Sequence, residues 1–247
     1  MNWHSAIGIL STVALFSPVI VILFFRLIRY RQFIPLFFYF LIAFVYNLMT
    51  EDLLVVPRNV ERGYGIINNL LDVPLMFSFL ILMSLSGKQA RRMKILLALY
   101  IVFEIAVVSI SGMTVKTITW VLGPGLALVF GYALYYFVQT VKRSFIHSKF
   151  VGKAMIASAL SFAYGCFIFI YLMHYVAAIP DLPNIFLIYY IVTILYSSLI
   201  TAGLVLESKR KRKLEELLVT RRELLSFFSD EKKTITPHEI AGQLKLH

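Results

Sequence analysis

The sequence is poor in charge where it is richest in apolar residues. Of its 247 residues 60% are hydrophobic and only 15% charged, against roughly 45–50% and about 25% in soluble domains, which excludes an ordinary soluble fold. No Lys or Arg falls within any of seven apolar stretches, 5–25, 32–50, 65–86, 95–115, 117–141, 154–180 and 182–206. The lone cysteine, Cys166, excludes an intrachain disulfide, and no Asn-x-Ser/Thr acceptor occurs. Catalytic patterns are missing too. There is no G-x-S-x-G, no phosphate loop and no G-x-G-x-x-G. His238-Glu239 starts like the zinc-protease helix, but the second histidine would stand at Gly242. The stretch 182–206 contains no lysine, so a retinal Schiff base is excluded there. Neither an enzyme nor a cofactor or resident metal is expected.

What is present is length. A bilayer span takes ~20 mostly apolar residues, and each of the seven stretches supplies about that many. The sequence predicts an all-α fold, a polytopic membrane protein built as a seven-transmembrane-helix bundle. The 24 Lys and Arg residues set its orientation. With the N-terminus outside, three fall in the first inner connection, four in the third, four in the fifth and ten after Leu206, which places 21 of 24 on the inner side. Cytoplasmic loops carry such an excess, so the expected topology is N-out and C-in, in the cell (cytoplasmic or inner) membrane. The net charge of +11 is then an orientation signal first and a lipid-surface signal second, and no nucleic acid is expected as a partner.

Composition divides the chain into 1–206, the seven-helix transmembrane domain, and 207–247, a basic amphipathic cytoplasmic tail. Five consecutive basic residues, Lys209, Arg210, Lys211, Arg212 and Lys213, open the tail. Leu214, Leu217, Leu218, Leu225 and Phe228 then recur near helical period among charged residues. Such a helix lies on a membrane or packs on a partner. Anionic lipid head groups and a cytoplasmic signalling partner are therefore the expected contacts of Lys209–Lys213. A capping box at Thr236-Pro237-His238-Glu239 predicts a short final helix.

Polar residues inside the apolar stretches are few, and they define the candidate site. Asn68 and Asp72 are four apart, Asn69 and Asp72 three apart, so the three share one helical stripe. An ionisable residue inside a membrane costs about 2.5–3.5 kcal/mol at mid-helix on insertion scales and marks function by default. The bland alternative is a polar clamp between helices. Asn47 and Glu51, four apart on the preceding helix, reach the same outer depth and join the expected ligand- or cation-binding set. Glu104 lies deeper, near the centre of its stretch, and His174 near the outer end of the sixth. Neither acid has a Lys or Arg at its own depth, so each is either neutral or awaiting a cation. Gly123-Pro124-Gly125 predicts a break or kink in the fifth helix, and Ala157, Ser161 and Gly165 a small-residue face for close helix approach.

The run Asn68-Asn69-Leu70-Leu71-Asp72, followed by Gly123-Pro124-Gly125 and by the basic segment before Leu214-Glu215-Glu216, resembles bacterial seven-span integral membrane proteins with no assigned function, over nearly all of the chain except its last dozen residues. The resemblance implies a cytoplasmic-membrane address and nothing about activity. From the residues themselves, the leading expectation is a sensory or signalling membrane protein. An outward-facing polar pocket would take an unknown small ligand or cation, and the tail would engage a partner or the membrane surface. The alternative is a small-molecule or ion transporter or channel, cation- or proton-coupled.

Overall fold

The computed structural model describes residues 3–84, 86–146, 150–173 and 185–234. Helices joined by short turns make up those residues, with no strand among them: α1 (Trp3–Phe24), α2 (Ile34–Thr50), α3 (Arg58–Met83), α4 (Gly87–Ser111), α5 (Val115–Ile146), α6 (Val151–Tyr171) and α7 (Ile185–Thr234), with two 3-10 turns, Leu27–Arg29 and Arg31–Phe33, between α1 and α2. All seven are long and apolar enough to cross a membrane, as the sequence predicts. In hydrocarbon every backbone N–H and C=O needs an internal partner, and a helix supplies one for each without help from other segments.

Several helix ends run past the apolar stretches into charged sequence. α3 begins at Arg58, α4 at Gly87, and α5 runs on to Ile146. The added turns carry Arg58, Glu61, Arg62, Lys88, Arg91, Arg92, Lys94, Lys142 and Arg143. They are helical but too polar for a bilayer interior. The connection 55–65 is therefore largely the first part of α3, with Pro57 just ahead of its first residue, where its missing N–H costs no helical bond.

Two units emerge from the contacts, Met1–Leu206 and Glu207–His247. In the first, α3 lies against α2, α4 and α5, and α5 runs along α6. Val73, Met76, Phe77 and Leu80 of α3 are buried with Phe40, Val129, Leu160, Tyr164 and Ile200. The outward faces are apolar as well: Leu99, Val102, Leu134 and Leu195 are exposed, an arrangement suited to lipid. Lipid tails are as apolar as these side chains, so close packing and interhelical hydrogen bonds hold such helices together. Tyr136 donates to the Met83 carbonyl (2.7 Å), and the Ser17 and Thr201 hydroxyls share a bond of 2.7 Å between α1 and α7.

Of the expected break or kink at Gly123-Pro124-Gly125, the break does not occur, and α5 runs through Pro124. A neighbour fills each position the glycines leave open. A Cβ at Gly125 would stand 2.5 Å from Val73 Cγ2 and 2.6 Å from the Tyr100 hydroxyl, and one at Gly123 would stand 2.6 Å from the Tyr171 hydroxyl. The same tyrosines bond carbonyls of the turn before Pro124: Tyr100 donates to Val121 (3.3 Å) and Tyr171 to Thr119 (2.9 Å). Neighbouring groups of this kind let a spanning helix carry proline. The Ala157, Ser161 and Gly165 face of α6 is used as predicted: Ala157 and Ser161 are buried, and Gly165 faces the Phe130 ring of α5.

Candidate functional site

Asp72 lies one turn into α3 from Asn68, and the helical stripe predicted from sequence lines a small internal cavity of about 140 Å³. Asn68, Asn69 and Asp72 form its polar wall, and Tyr39 of α2, Phe167 and Tyr171 of α6 and Tyr189 of α7 its aromatic wall. The cavity lies among α2, α3, α5, α6 and α7. No Lys or Arg lines it.

The Asp72 carboxylate is held rather than loose. Tyr164 of α6 donates to Asp72 Oδ1 at 2.7 Å, and Tyr39 presents a second hydroxyl toward the same carboxylate. The Asn69 amide donates back to the Gly65 carbonyl one turn earlier (2.8 Å), so its own carbonyl oxygen remains available. Asn68 makes no hydrogen bond to the described residues. The aromatic wall is itself interlocked: Tyr164 meets Phe167 edge-on with centroids 5.9 Å apart, and Phe167 lies 5.8 Å from Tyr189. Beyond the cavity, Tyr196 stacks on Phe40 at 5.5 Å. The Tyr196 hydroxyl faces that of Tyr39 and the Thr193 hydroxyl that of Tyr189, and the buried Ser197 hydroxyl has no hydrogen-bond partner among the described residues.

Asn47 and Glu51 are not brought to this cavity. Asn47 is buried and donates to Ser11 Oγ (3.0 Å) and Thr12 Oγ1 (2.8 Å) of α1. Glu51 lies directly against Gly8 of α1 and accepts from the Tyr190 hydroxyl of α7 at 2.6 Å. The two make a polar seam joining α1, α2 and α7. Helix geometry explains the separation. Tyr39 and Ala43 line the cavity from α2, and eight residues advance the helix by about 80° beyond two full turns, which turns Asn47 toward α1. Glu104 is buried on α4 one turn from Tyr100. It lies outside the cavity wall and makes no hydrogen bond to the described residues. His174 falls outside the described residues, as does the predicted final helix at 236–239 and beyond.

Tyr164 and Tyr39 are the site residues that sequence reasoning missed. Tyr164 stands between Ala163 and Gly165, a large hydroxyl-bearing ring on a helix of small residues, and that contrast was the available signal.

Lys209–Lys213 belong to the second unit, within the helical residues that run to Thr234. Arg210 forms an ion pair with Glu207, and Arg212 Nε meets Glu216 Oε1 at 3.2 Å. The latter pair is highly exposed and holds little energy. Leu214, Leu217, Leu218 and Leu225 are exposed on this segment.

Among the described residues no three His, Cys, Asp or Glu side chains gather as metal ligands. No protein-family model matches the chain, and no curated protein or solved structure matches it either.

Proposed function

We propose that this chain is a membrane-spanning receptor-like protein that binds a small organic ammonium ion at Asp72. The observation that carries the reading is a carboxylate on the wall of a small cavity whose other walls offer amides and aromatic rings and no cation. A buried negative charge calls for a positive partner, and aromatic faces attract an ammonium group through their quadrupole, by about 0.5–2 kcal/mol per ring. A hard metal ion is a poorer fit, since it takes six or more oxygen ligands and the wall offers one carboxylate. The volume of about 140 Å³ lies below the ~300–1,000 Å³ of drug-sized pockets, so the ligand is a small amine. Asn68 and Asn69 would orient it.

A pocket fits better than a conduit, because the buried side chains of Val73, Met76, Phe77 and Leu80 continue α3 directly beyond Asp72. In the N-out topology the cavity faces outside and Lys209–Lys213 lie in the cytoplasm, where the tail would signal to a partner or hold to the membrane. A reporter active only outside the cytoplasm is expected to work after Gly63 and to fail after Lys149 and Lys233. Activity at Lys149 would reverse the orientation.

Thermal unfolding of the purified protein in detergent tests the ligand class. A ligand that binds only the folded form raises stability in proportion to its occupancy. Tetramethylammonium and short primary amines should raise Tm in wild type and leave Asp72→Asn unmoved, while Na+ and K+ at equal ionic strength do neither. The absence of any amine-dependent shift in wild type would remove this reading. Amine uptake by proteoliposomes at a rate lost with Asp72→Asn would replace the receptor by a transporter.

A further inference from the structure

A second cavity of about 710 Å³ lies between the first turns of α4 and the α5 segment from Ala127 to Arg143. Three cations line it, Lys88 and Arg92 from α4 and Arg143 from α5, and no Asp or Glu does. None of the three forms an ion pair with the described residues. Arg143 rests 5.9 Å from the centroid of the Phe150 ring, a contact that positions the guanidinium without neutralising it. Tyr135 and Gln139 add neutral polar groups, joined by a bond of 2.6 Å in which the Gln139 amide donates.

The rest of the wall is of a different kind. Ala127, Leu128 and Gly131 form an apolar floor on α5, and a Cβ at Gly131 would meet nothing within 4 Å. On α4 the stripe through Lys88 and Arg92 continues at helical spacing to Ile95 and Leu99, which are 56% and 62% exposed. The groove therefore passes from a cationic mouth onto the apolar outer surface that suits lipid. A soluble anion has use for the mouth alone. An anionic amphiphile has use for both parts.

We propose that this groove binds an anionic phospholipid, its phosphate between Lys88, Arg92 and Arg143 and its acyl chain along Ala127 and Gly131. Arginine presents fixed forks of donors that match phosphate oxygens, and lysine adds a point charge. The site is independent of the ligand at Asp72 and of Lys209–Lys213. It requires only that the seven helices span a bilayer.

Native mass spectrometry of the full chain, titrated in detergent with phosphatidylglycerol or phosphatidylcholine, tests it. Wild type should prefer phosphatidylglycerol by at least about tenfold. The triple variant Lys88→Gln, Arg92→Gln, Arg143→Gln should lose that preference, whereas replacing Lys209–Lys213 by glutamine should keep it. Gly131→Phe fills the groove without touching a charge and should weaken phosphatidylglycerol binding as strongly. If the triple variant does not fold, as judged by circular dichroism, Gly131→Phe decides alone, and unchanged lipid binding by it overturns the proposal. Retained preference in a folded triple variant overturns it as well, as does loss of preference only in the Lys209–Lys213 variant. Glycerol 3-phosphate binding as tightly as the lipid would make the groove a site for a soluble phosphate compound instead.

Discussion

Among α2, α3, α5, α6 and α7 a cavity of about 140 Å³ presents a carboxylate and no cation; between α4 and α5 a groove of about 710 Å³ presents three cations and no carboxylate. The first is lined by rings from three helices, α2, α6 and α7. The second opens onto an apolar outer surface. Charges paired within a chain say little about its partners, because such pairs close on themselves. Here each site holds one sign alone, and each site names the sign of what it binds. Volume then sets size: a small amine in the cavity, a long amphiphile in the groove. The seam formed by Asn47, Glu51, Ser11, Thr12 and Tyr190 provides the control. Its polar groups bond to one another across α1, α2 and α7, and it calls for no ligand.

The largest expected effect that would break this contrast is at Asp72. Asp72→Asn keeps the shape and removes the charge, so amine-dependent stabilisation should fall by more than about tenfold in apparent affinity, while the folded fraction without ligand stays near wild type. Binding isotherms of the variant check it, and unaltered affinity would assign the cavity to a neutral ligand. Next in size is the packing that shapes the cavity. Gly125→Leu would drive a side chain into Val73 and Tyr100 and should cost about 1–3 kcal/mol of stability, read from unfolding in mixed micelles. Tyr164→Phe removes the donor to Asp72 Oδ1 and should cost about 1 kcal/mol or slightly more, as a bond to a charged group does, together with weaker amine binding. The smallest effect belongs to Glu104, which lines neither cavity. Glu104→Gln should change stability by less than about 0.5 kcal/mol and amine affinity not at all. A lost amine response there would move the functional acid from α3 to α4.

The seven helices were legible because a bilayer demands about 20 apolar residues per span, and the chain displays that demand openly. Their ends were not. Hydropathy reports what a bilayer tolerates, and the backbone keeps its hydrogen bonds through Arg58–Tyr64 and through Lys88–Lys94 whether lipid surrounds those turns or not. Within the site, Asn68, Asn69 and Asp72 could be grouped because they share one helix, whose period alone aligns them. Tyr164 and Tyr39 could not be added. Single-helix periodicity does not reveal which helix stands opposite, and although Tyr164 is marked by its small neighbours Ala163 and Gly165, nothing local ties it to Asp72. For the same reason Asn47 and Glu51 were grouped with Asp72 on depth, although about 80° of helical rotation turns them to α1. Gly123-Pro124-Gly125 does not break α5, and its glycines serve neighbours on other helices, Val73, Tyr100 and Tyr171, that local sequence does not display.

The most direct test crosses the two sites in one experiment. Wild type, Asp72→Asn and the Lys88→Gln, Arg92→Gln, Arg143→Gln variant are each titrated with tetramethylammonium and with phosphatidylglycerol, with ligand binding read by native mass spectrometry. Each variant should lose only its own ligand, Asp72→Asn the ammonium and the triple variant the lipid, with the other affinity within about twofold of wild type. Both variants binding both ligands as wild type does, or each losing the other's ligand, would contradict the assignment of partner by unpaired charge.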